Sequence, residues 1–469
     1  MTFHNLTPAI PGFYSDPTMC AGQDAVYLAH SSFEYFPGAP VWRSTDMASF
    51  TQVGNVIDRP EQLDLSTFRG PSAGIYGSTL RYHAGRYWFI TTNIRQPGQL
   101  IFTAESPEGP WSAPVVVPDT PGIDPDLAWD EEGTCYLTWC SDGIAQITID
   151  PETGDVLSPR RHLWSGTGMK FPEGPHLYHV GEWWYLLIAE GGTERGHSVS
   201  VARSRRPDGD FEGFAGNPLL THRSTSHPIQ SVGHADLVEW GGEWWGCYHG
   251  TRPHGQTPEF HVIGRETMIC PVEWVAGWPV FREDLALEYH PDTSLRADLT
   301  QPLGSRWVSP QGDLSNVSPS PDGLVVLPGR PVAIRVQDLD WSASAVVDVT
   351  EGTARLLVYL DDDHWYALDA STAGVQAIGR SAPFAQSFGA VSVTDPSAVQ
   401  LQIRADARTR EHGAEPDLIT LSVGAVELAR LDGRHVSTEV AGGFTGRTVG
   451  VQCTAGRVLV RAFGYRPTS

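Results

Sequence analysis

Short apolar runs separated by turn residues recur through residues 1–288, a pattern that predicts β-strands and few helices. Five units share one layout: a short lead-in, a turn, then an apolar or aromatic run. Asp16-Pro17-Thr18-Met19 precedes the run 25–30, Gly77-Ser78-Thr79-Leu80 the run 86–91, and Asp124-Pro125-Asp126-Leu127 the run 134–139. Gly174-Pro175-His176-Leu177 precedes 183–188, and His234-Ala235-Asp236-Leu237 precedes 242–248. The anchors Met19, Leu80, Leu127, Leu177 and Leu237 stand 47 to 61 residues apart, the period of propeller blades with about four strands each. Third strands are expected at 41–46, 100–106 and 199–204.

From about residue 289 the repeat stops, and 289–294 reads as a linker. Alternating runs then appear at 333–336, 344–349, 354–360, 399–404 and 458–463, as half-buried antiparallel strands of two packed sheets require. The prediction is an all-β chain: a five-bladed β-propeller over residues 1–288, then a jelly-roll-like β-sandwich over 296–469. At 469 residues the chain exceeds what one core supports, so two domains fit its length. Asp361-Asp362-Asp363 reads as a solvated hairpin tip in preference to a metal loop.

In a propeller the innermost strand of every blade lines one channel. Three residues before the anchors stand Asp16, Gly77, Asp124, Gly174 and His234, with Glu173 beside Gly174 and flanked by Pro172 and Pro175. Turn preference explains one aspartate there, but three acids on three blades point to chemistry. Paired carboxylates are what glycoside hydrolysis needs, one protonated to release the leaving oxygen and one ionised to activate water or attack carbon. A third acid raises the proton affinity of the acid beside it. No Cys–His or nucleophilic Ser constellation and no phosphate-binding glycine loop competes with this reading. The doublets Trp183-Trp184 and Trp244-Trp245 lie at matching offsets in second strands, where packing between blades explains them better than sugar stacking.

Charge narrows the partners. A net charge of −23 argues against nucleic acid and anionic membranes, and fits a neutral ligand such as a small oligosaccharide. The six cysteines form no CxxC pair and read as buried free thiols. Residues 1–6 lack a basic or apolar leader and no stretch is long enough to span a membrane, which together predict a cytoplasmic protein. Composition is compatible with a monomer or a homo-oligomer.

The motifs, taken as a set, resemble glycoside hydrolase family 43. They are Gly12-Phe13-Tyr14-Ser15-Asp16-Pro17, Ser32-Phe33-Glu34-Tyr35-Phe36-Pro37-Gly38, Gly122-Ile123-Asp124-Pro125 and Glu173-Gly174-Pro175-His176-Leu177-Tyr178. Ala189-Glu190-Gly191-Gly192-Thr193, Gly233-His234-Ala235 and Gly264-Arg265-Glu266-Thr267 complete them, in an order that covers nearly all of residues 1 to 285. The whole chain looks like the two-domain β-xylosidase and α-L-arabinofuranosidase members, although its C-terminal half is similar only in size and β-pattern.

The resemblance implies a single-displacement, inverting mechanism. Asp16 would be the general base, Glu173 the general acid, and Asp124 the group that tunes and orients Glu173. Inversion requires the two reacting carboxyls to stand about 6.5–9.5 Å apart. Arg265 resembles a substrate-contacting arginine whose fork holds sugar hydroxyls. His234 matches a channel histidine that in relatives often faces a hydrated calcium ion; a plain hydrogen-bonding role is the alternative, and no cofactor is required. Phe33, Tyr76 and Ile123 would wall the terminal-sugar pocket. Here the sequence departs from the β-xylosidase pattern, with Ile75-Tyr76-Gly77-Ser78 replacing Val-Trp-Ala-Pro and Ile123 replacing Phe. The implied activity is exo-acting release of terminal pentose, β-1,4-linked D-xylose or α-L-arabinofuranose, from short xylo- or arabino-oligosaccharides. Two other readings stay open: a non-catalytic carbohydrate-binding propeller, and a retaining fructan-type hydrolase with its carboxyls about 5–5.5 Å apart.

Overall fold

Each lead-in forms the innermost strand of an antiparallel blade, and the apolar run behind it forms the second strand. The computed structural model describes residues 3–65, 71–255, 258–407, 409–410, 413–414 and 416–468; Met1 and Thr2 of the N-terminal stretch lie outside them. The inner strands are Thr18–Ala21, Ile75–His83, Ile123–Trp129, Glu173–Val180 and Gln230–Trp240. The expected third strands are present as Gly38–Ser44, Gln99–Ala104 and Ser198–Ser204. All five anchors are buried.

Second strands read as continuous apolar runs because both of their faces are covered. Successive side chains point to opposite faces, so one strand feeds the cores on both sides of its blade. Trp184 packs with Ala128 and Ile144 of the preceding blade, whereas Tyr185 packs with Leu237 and Met268 of the following one. Trp245 in turn joins Met19, Val26 and Leu28 of the first blade, which closes the ring. The tryptophan doublets are blade core.

The second half is a β-sandwich of two 8-stranded sheets. The alternating runs appear as Val332–Arg335, Trp341–Asp348, Gly352–Asp361, Val399–Asp406 and Val458–Pro467, with their apolar faces in one shared core. Asp361-Asp362-Asp363 is a hairpin end held by Arg330–Asp362, Arg380–Asp363 and His364–Asp361 pairs.

Two features tie the halves together more closely than a linker would. Tyr35–Phe36, from a loop of the first blade, pairs with Trp307–Pro310 and becomes the edge strand of a sandwich sheet. Tyr289, in the expected linker, is 2% exposed, packs on Phe50 and donates its hydroxyl to the carbonyl of Met47. All six cysteines are free. No helix among the described residues is long and apolar enough to cross a membrane.

Candidate active site

The inner strands break register as they enter the channel, between Ile123 and Asp126, Glu173 and His176, Ile75 and Ser78, and Gly233 and Asp236. Such a bulge re-aims one side chain. At three of these breaks, and just before the first blade's inner strand, the backbone turns left-handed, with φ near 53° at Asp16 and His234 and 56° at Asp124 and Gly174. Aspartate tolerates that conformation better than most residues, and glycine takes it without cost. Two ring positions are glycine because their neighbours need the space. A Cβ on Gly77 would meet Asp124 Oδ1 at 2.4 Å, and one on Gly174 would meet His234 Nε2 at 2.9 Å. The repeat therefore gathers Asp16, Asp124, Glu173 and His234 around one channel mouth.

Their surroundings differ. Asp16 is 4% exposed. Its Oδ1 accepts from Arg265 Nη1 at 2.8 Å, its Oδ2 accepts from the Ser31 hydroxyl at 2.7 Å, and His234 Nδ1 lies 3.4 Å away. Burial alone would raise this carboxyl, but Arg265, His234 and His249 outweigh it and hold Asp16 well below the usual carboxylate range. Asp124 behaves oppositely. Burial first, then the charges of Glu173 and Asp16, push it well above that range, against the pull of the Gly174 N–H that it accepts at 3.1 Å. Asp124 is 5% exposed. The Glu173 side chain keeps 19% exposure.

Two histidines that no motif singled out complete the site. His249 Nδ1 accepts the Asp16 N–H at 3.1 Å, its Nε2 lies 3.3 Å from His197 Nδ1, and His197 Nε2 lies 3.7 Å from Glu173 Oε1. Both imidazoles are fully buried and stand in series between the two acids. Burial holds His234 down to about 4 and His249 well below its ordinary value, so both are neutral. Sequence spacing could not find His197 and His249, because His249 lies on a second strand and His197 just before a third, away from the repeated inner strand.

The pocket wall is aromatic and comes from both halves of the chain. Phe33 and Tyr76 meet edge to face at 5.5 Å, and Phe444 of the sandwich stacks on Phe33 at 5.9 Å. The Arg265 guanidinium lies 5.7 Å from the Phe33 ring and 5.5 Å from that of Phe444. Its Nη1 is committed to Asp16 and to Thr193 Oγ1 at 3.2 Å, whereas Nε is buried without a partner. Only part of the fork is therefore available to a sugar. Ile123 sits half-buried beside Asp124. The Phe444 segment is pinned to the propeller: Ser72 Oγ accepts the Phe444 N–H at 2.6 Å, and Glu439 Oε1 lies 2.8 Å from His261 Nδ1. A cavity of about 440 Å³ opens beside this wall, with Arg265, Thr193, Phe444, His261 and Glu439 in its lining.

At His234, where the resemblance implies either a hydrated calcium ion or a plain hydrogen-bonding role, the structure offers a single imidazole. His234 is surrounded by Asp16, Gly174 and His249. Among the described residues no group of three His, Cys, Asp or Glu side chains is arranged to hold a metal ion. Deeper in the channel, a guanidinium, that of Arg81, occupies the place between carboxylates Asp126 and Asp236.

Known proteins share both halves. Residues 6–279 match the glycosyl hydrolases family 43 model, and residues 330–458 match the β-xylosidase C-terminal concanavalin A-like domain. A xylosidase/arabinosidase of Butyrivibrio fibrisolvens is 40% identical over 292 residues, covering 58% of this chain and 55% of that protein; the match thus spans about half the relative's length. The non-reducing end α-L-arabinofuranosidase BoGH43B of Bacteroides ovatus is 32% identical over 96% of this chain and 91% of its own length. Among solved structures, the Bacteroides ovatus xyloglucan PUL GH43B superposes with a TM-score of 0.89 at 30% identity, covering 100% of both chains. The xylan β-1,4-xylosidase of Bacillus halodurans C-125 gives 0.87 at 26% identity, covering 99% of this chain and 100% of that one.

Proposed function

The chain belongs to glycosyl hydrolase family 43, and from that membership we propose that it is an exo-acting, inverting hydrolase that removes a terminal pentose from short oligosaccharides. One observation carries the reading: two carboxyls at one channel mouth are driven in opposite directions, Asp16 down by Arg265 and Asp124 up by burial beside Glu173. A base must be ionised while the acid keeps a proton at the same pH; Asp16 is the ionised carboxylate, and Asp124, pushed up by burial, stands beside Glu173, the proposed donor, as the residue that tunes it.

In the proposed reaction Asp16 takes a proton from water as the water oxygen bonds to the anomeric carbon. Glu173 gives its proton to the departing glycosidic oxygen as that bond breaks. Asp124, whose carboxyl burial pushes up, stands beside Glu173 and would tune and orient it. His249 and His197 lie between base and acid, which supports separated carboxyls with water between them over the close pair of a retaining enzyme. The pocket closed by Phe33, Tyr76 and Phe444 supports attack at a chain end rather than within a polymer. The aglycone would extend into the neighbouring cavity.

Substrate follows the relatives. Their names include both β-xylosidase and α-L-arabinofuranosidase; of the two described above that match along nearly the whole chain and are named for their sugar, the arabinofuranosidase is 32% identical and the xylosidase 26%. α-L-Arabinofuranose is therefore our first choice of terminal sugar and β-D-xylopyranose the second. Six free thiols favour a reducing compartment. Aryl α-L-arabinofuranoside and aryl β-D-xylopyranoside assayed in parallel test the activity, and NMR of the released anomer tests the stereochemistry. Turnover of neither glycoside, nor of short xylo- or arabino-oligosaccharides, refutes the enzyme; a retained anomer refutes inversion.

A further inference from the structure

Two residues beyond the ring of acids, each inner strand presents a second inward side chain: Thr18, Thr79, Asp126, His176 and Asp236. The Arg81 guanidinium lies among them. Its Nη2 donates to Asp126 Oδ1 at 2.7 Å and lies 3.0 Å from His176 Nδ1, while its Nη1 donates to Asp236 Oδ2 at 2.8 Å. Both aspartate side chains are 0% exposed and the arginine side chain 15%.

These two carboxylates also hold neighbouring blades. Asp236 Oδ2 accepts the Thr18 hydroxyl at 2.6 Å and the Met19 N–H at 3.0 Å, on the strand that follows Asp16. Thr18 Oγ1 in turn accepts the Leu80 N–H at 3.0 Å. Asp126, two residues after Asp124, accepts the Leu177 N–H at 2.8 Å through Oδ2, on the strand that begins at Glu173. The Tyr178 hydroxyl of that strand donates to Asp236 and accepts the Leu237 N–H at 2.9 Å. The guanidinium, on the second blade, thus contacts the inner strands of the third, fourth and fifth, and reaches the first through Asp236 and Thr18.

We propose that Arg81 is a positioning residue, a cation built into the propeller axis that fixes the spacing of the strands carrying Asp16, Asp124 and Glu173. This rests on the hydrolase reading above. Two buried carboxylates on different blades repel unless a cation lies between them, and a planar fork can hold both at once where a lysine ammonium is a single point. Without it Asp126 and Asp236 move apart or take up protons, and the strand ends two residues away move with them. A displacement near 1 Å at reacting groups costs roughly 10²-fold in rate.

Removing the side chain leaves a cation-sized space open toward solvent, since the Arg81 side chain keeps 15% exposure where Asp126 and Asp236 keep none. The test uses the full chain with Arg81→Ala and Arg81→Lys, assayed on the better aryl pentoside with and without millimolar guanidinium chloride. Arg81→Ala is expected to lose about 10²-fold in kcat while still folded at the assay temperature. It should also depend more steeply on leaving-group acidity, because the acid is misplaced, and recover kcat with guanidinium, to which the wild type does not respond. Arg81→Lys should fall between. A folded Arg81→Ala with kcat and leaving-group dependence within about twofold of wild type overturns the proposal. So does a loss that tracks only the folded fraction and that guanidinium leaves unchanged. If Arg81→Ala does not fold, Arg81→Lys decides: an unaltered leaving-group dependence overturns the idea. Crystal structures read the same geometry without turnover. The Asp16–Glu173 separation should shift in the variant and return with guanidinium bound between Asp126 and Asp236; an unshifted separation overturns the proposal. Inactivity of the wild type on every pentoside would refute the hydrolase reading and leave this structural readout standing.

Discussion

Glu34→Gln is the substitution whose effect can be worked most directly from the structure. Glu34 follows the pocket-wall residue Phe33, is 2% exposed, and has no hydrogen-bond partner for Oε2 among the described residues. It is buried because the next two residues, Tyr35–Phe36, leave the propeller and pair with the sandwich, and its own carbonyl accepts the Gln311 N–H at 2.7 Å. Burial pushes the carboxyl from 4.5 up to about 8; the Glu34 and Ser72 N–H groups and Arg330 oppose this, and Asp361 adds to it. The folded protein therefore keeps a proton that the unfolded chain releases above 4.5, so stability falls as pH rises through that window. Each pH unit is worth about 1.4 kcal/mol, or roughly 3 kcal/mol lost by pH 7, with no further loss once pH passes about 8. Glutamine keeps the shape and cannot ionise. Melting curves of wild type and Glu34→Gln at pH 5, 6, 7 and 8 should start close together and separate as pH rises. For a cooperatively unfolding chain of this length the conversion is about 1 °C per kcal/mol, so the variant should melt about 3 °C higher at pH 7. Parallel curves across the four pH values would refute the reasoning.

Four further outcomes follow from the site. Glu173→Ala should lose least with an activated phenol and most with an alkyl or sugar leaving group, as Brønsted plots on a series of aryl pentosides would show. Asp16→Ala should be poor with all of them, typically by 10²-fold or more, and near-normal kcat would remove it as the base. Arg265→Met takes away the charge that holds Asp16 down, so the acidic limb of the pH–kcat/KM profile should move to higher pH; an unmoved limb would count against the pair. Phe444→Ala opens the wall contributed by the sandwich and should raise KM about tenfold, as loss of 1–2 kcal/mol of aromatic contact predicts, with little change in melting temperature.

Much of the propeller was legible because its cause is local. A second strand buried on both faces must be apolar throughout, and a turn must separate it from the inner strand, so five copies of that pattern mark five blades. The ring of Asp16, Asp124, Gly174 and His234 follows from the same repeat, since equal offsets from equivalent anchors reach one channel. The glycines at 77 and 174 were visible as ring members, though not as the space that Asp124 and His234 occupy. Other parts were not legible for physical reasons. His197 and His249 sit at no repeated offset and meet only because the fourth and fifth blades pack side by side. Phe444 lies 411 residues from Phe33 in the chain, and nothing in either segment's pattern announces the contact. Arg81 pairs with Asp126 and Asp236 from two other blades, and nothing in the local pattern around any of the three announces the cluster. Periodicity and turn chemistry act over a few residues, so the sequence by itself determined the strands, their grouping into blades and the acids that line the axis. Protonation, pocket closure and the balance of buried charge depend on groups brought together from distant blades and from the sandwich, and only the tertiary structure decided them.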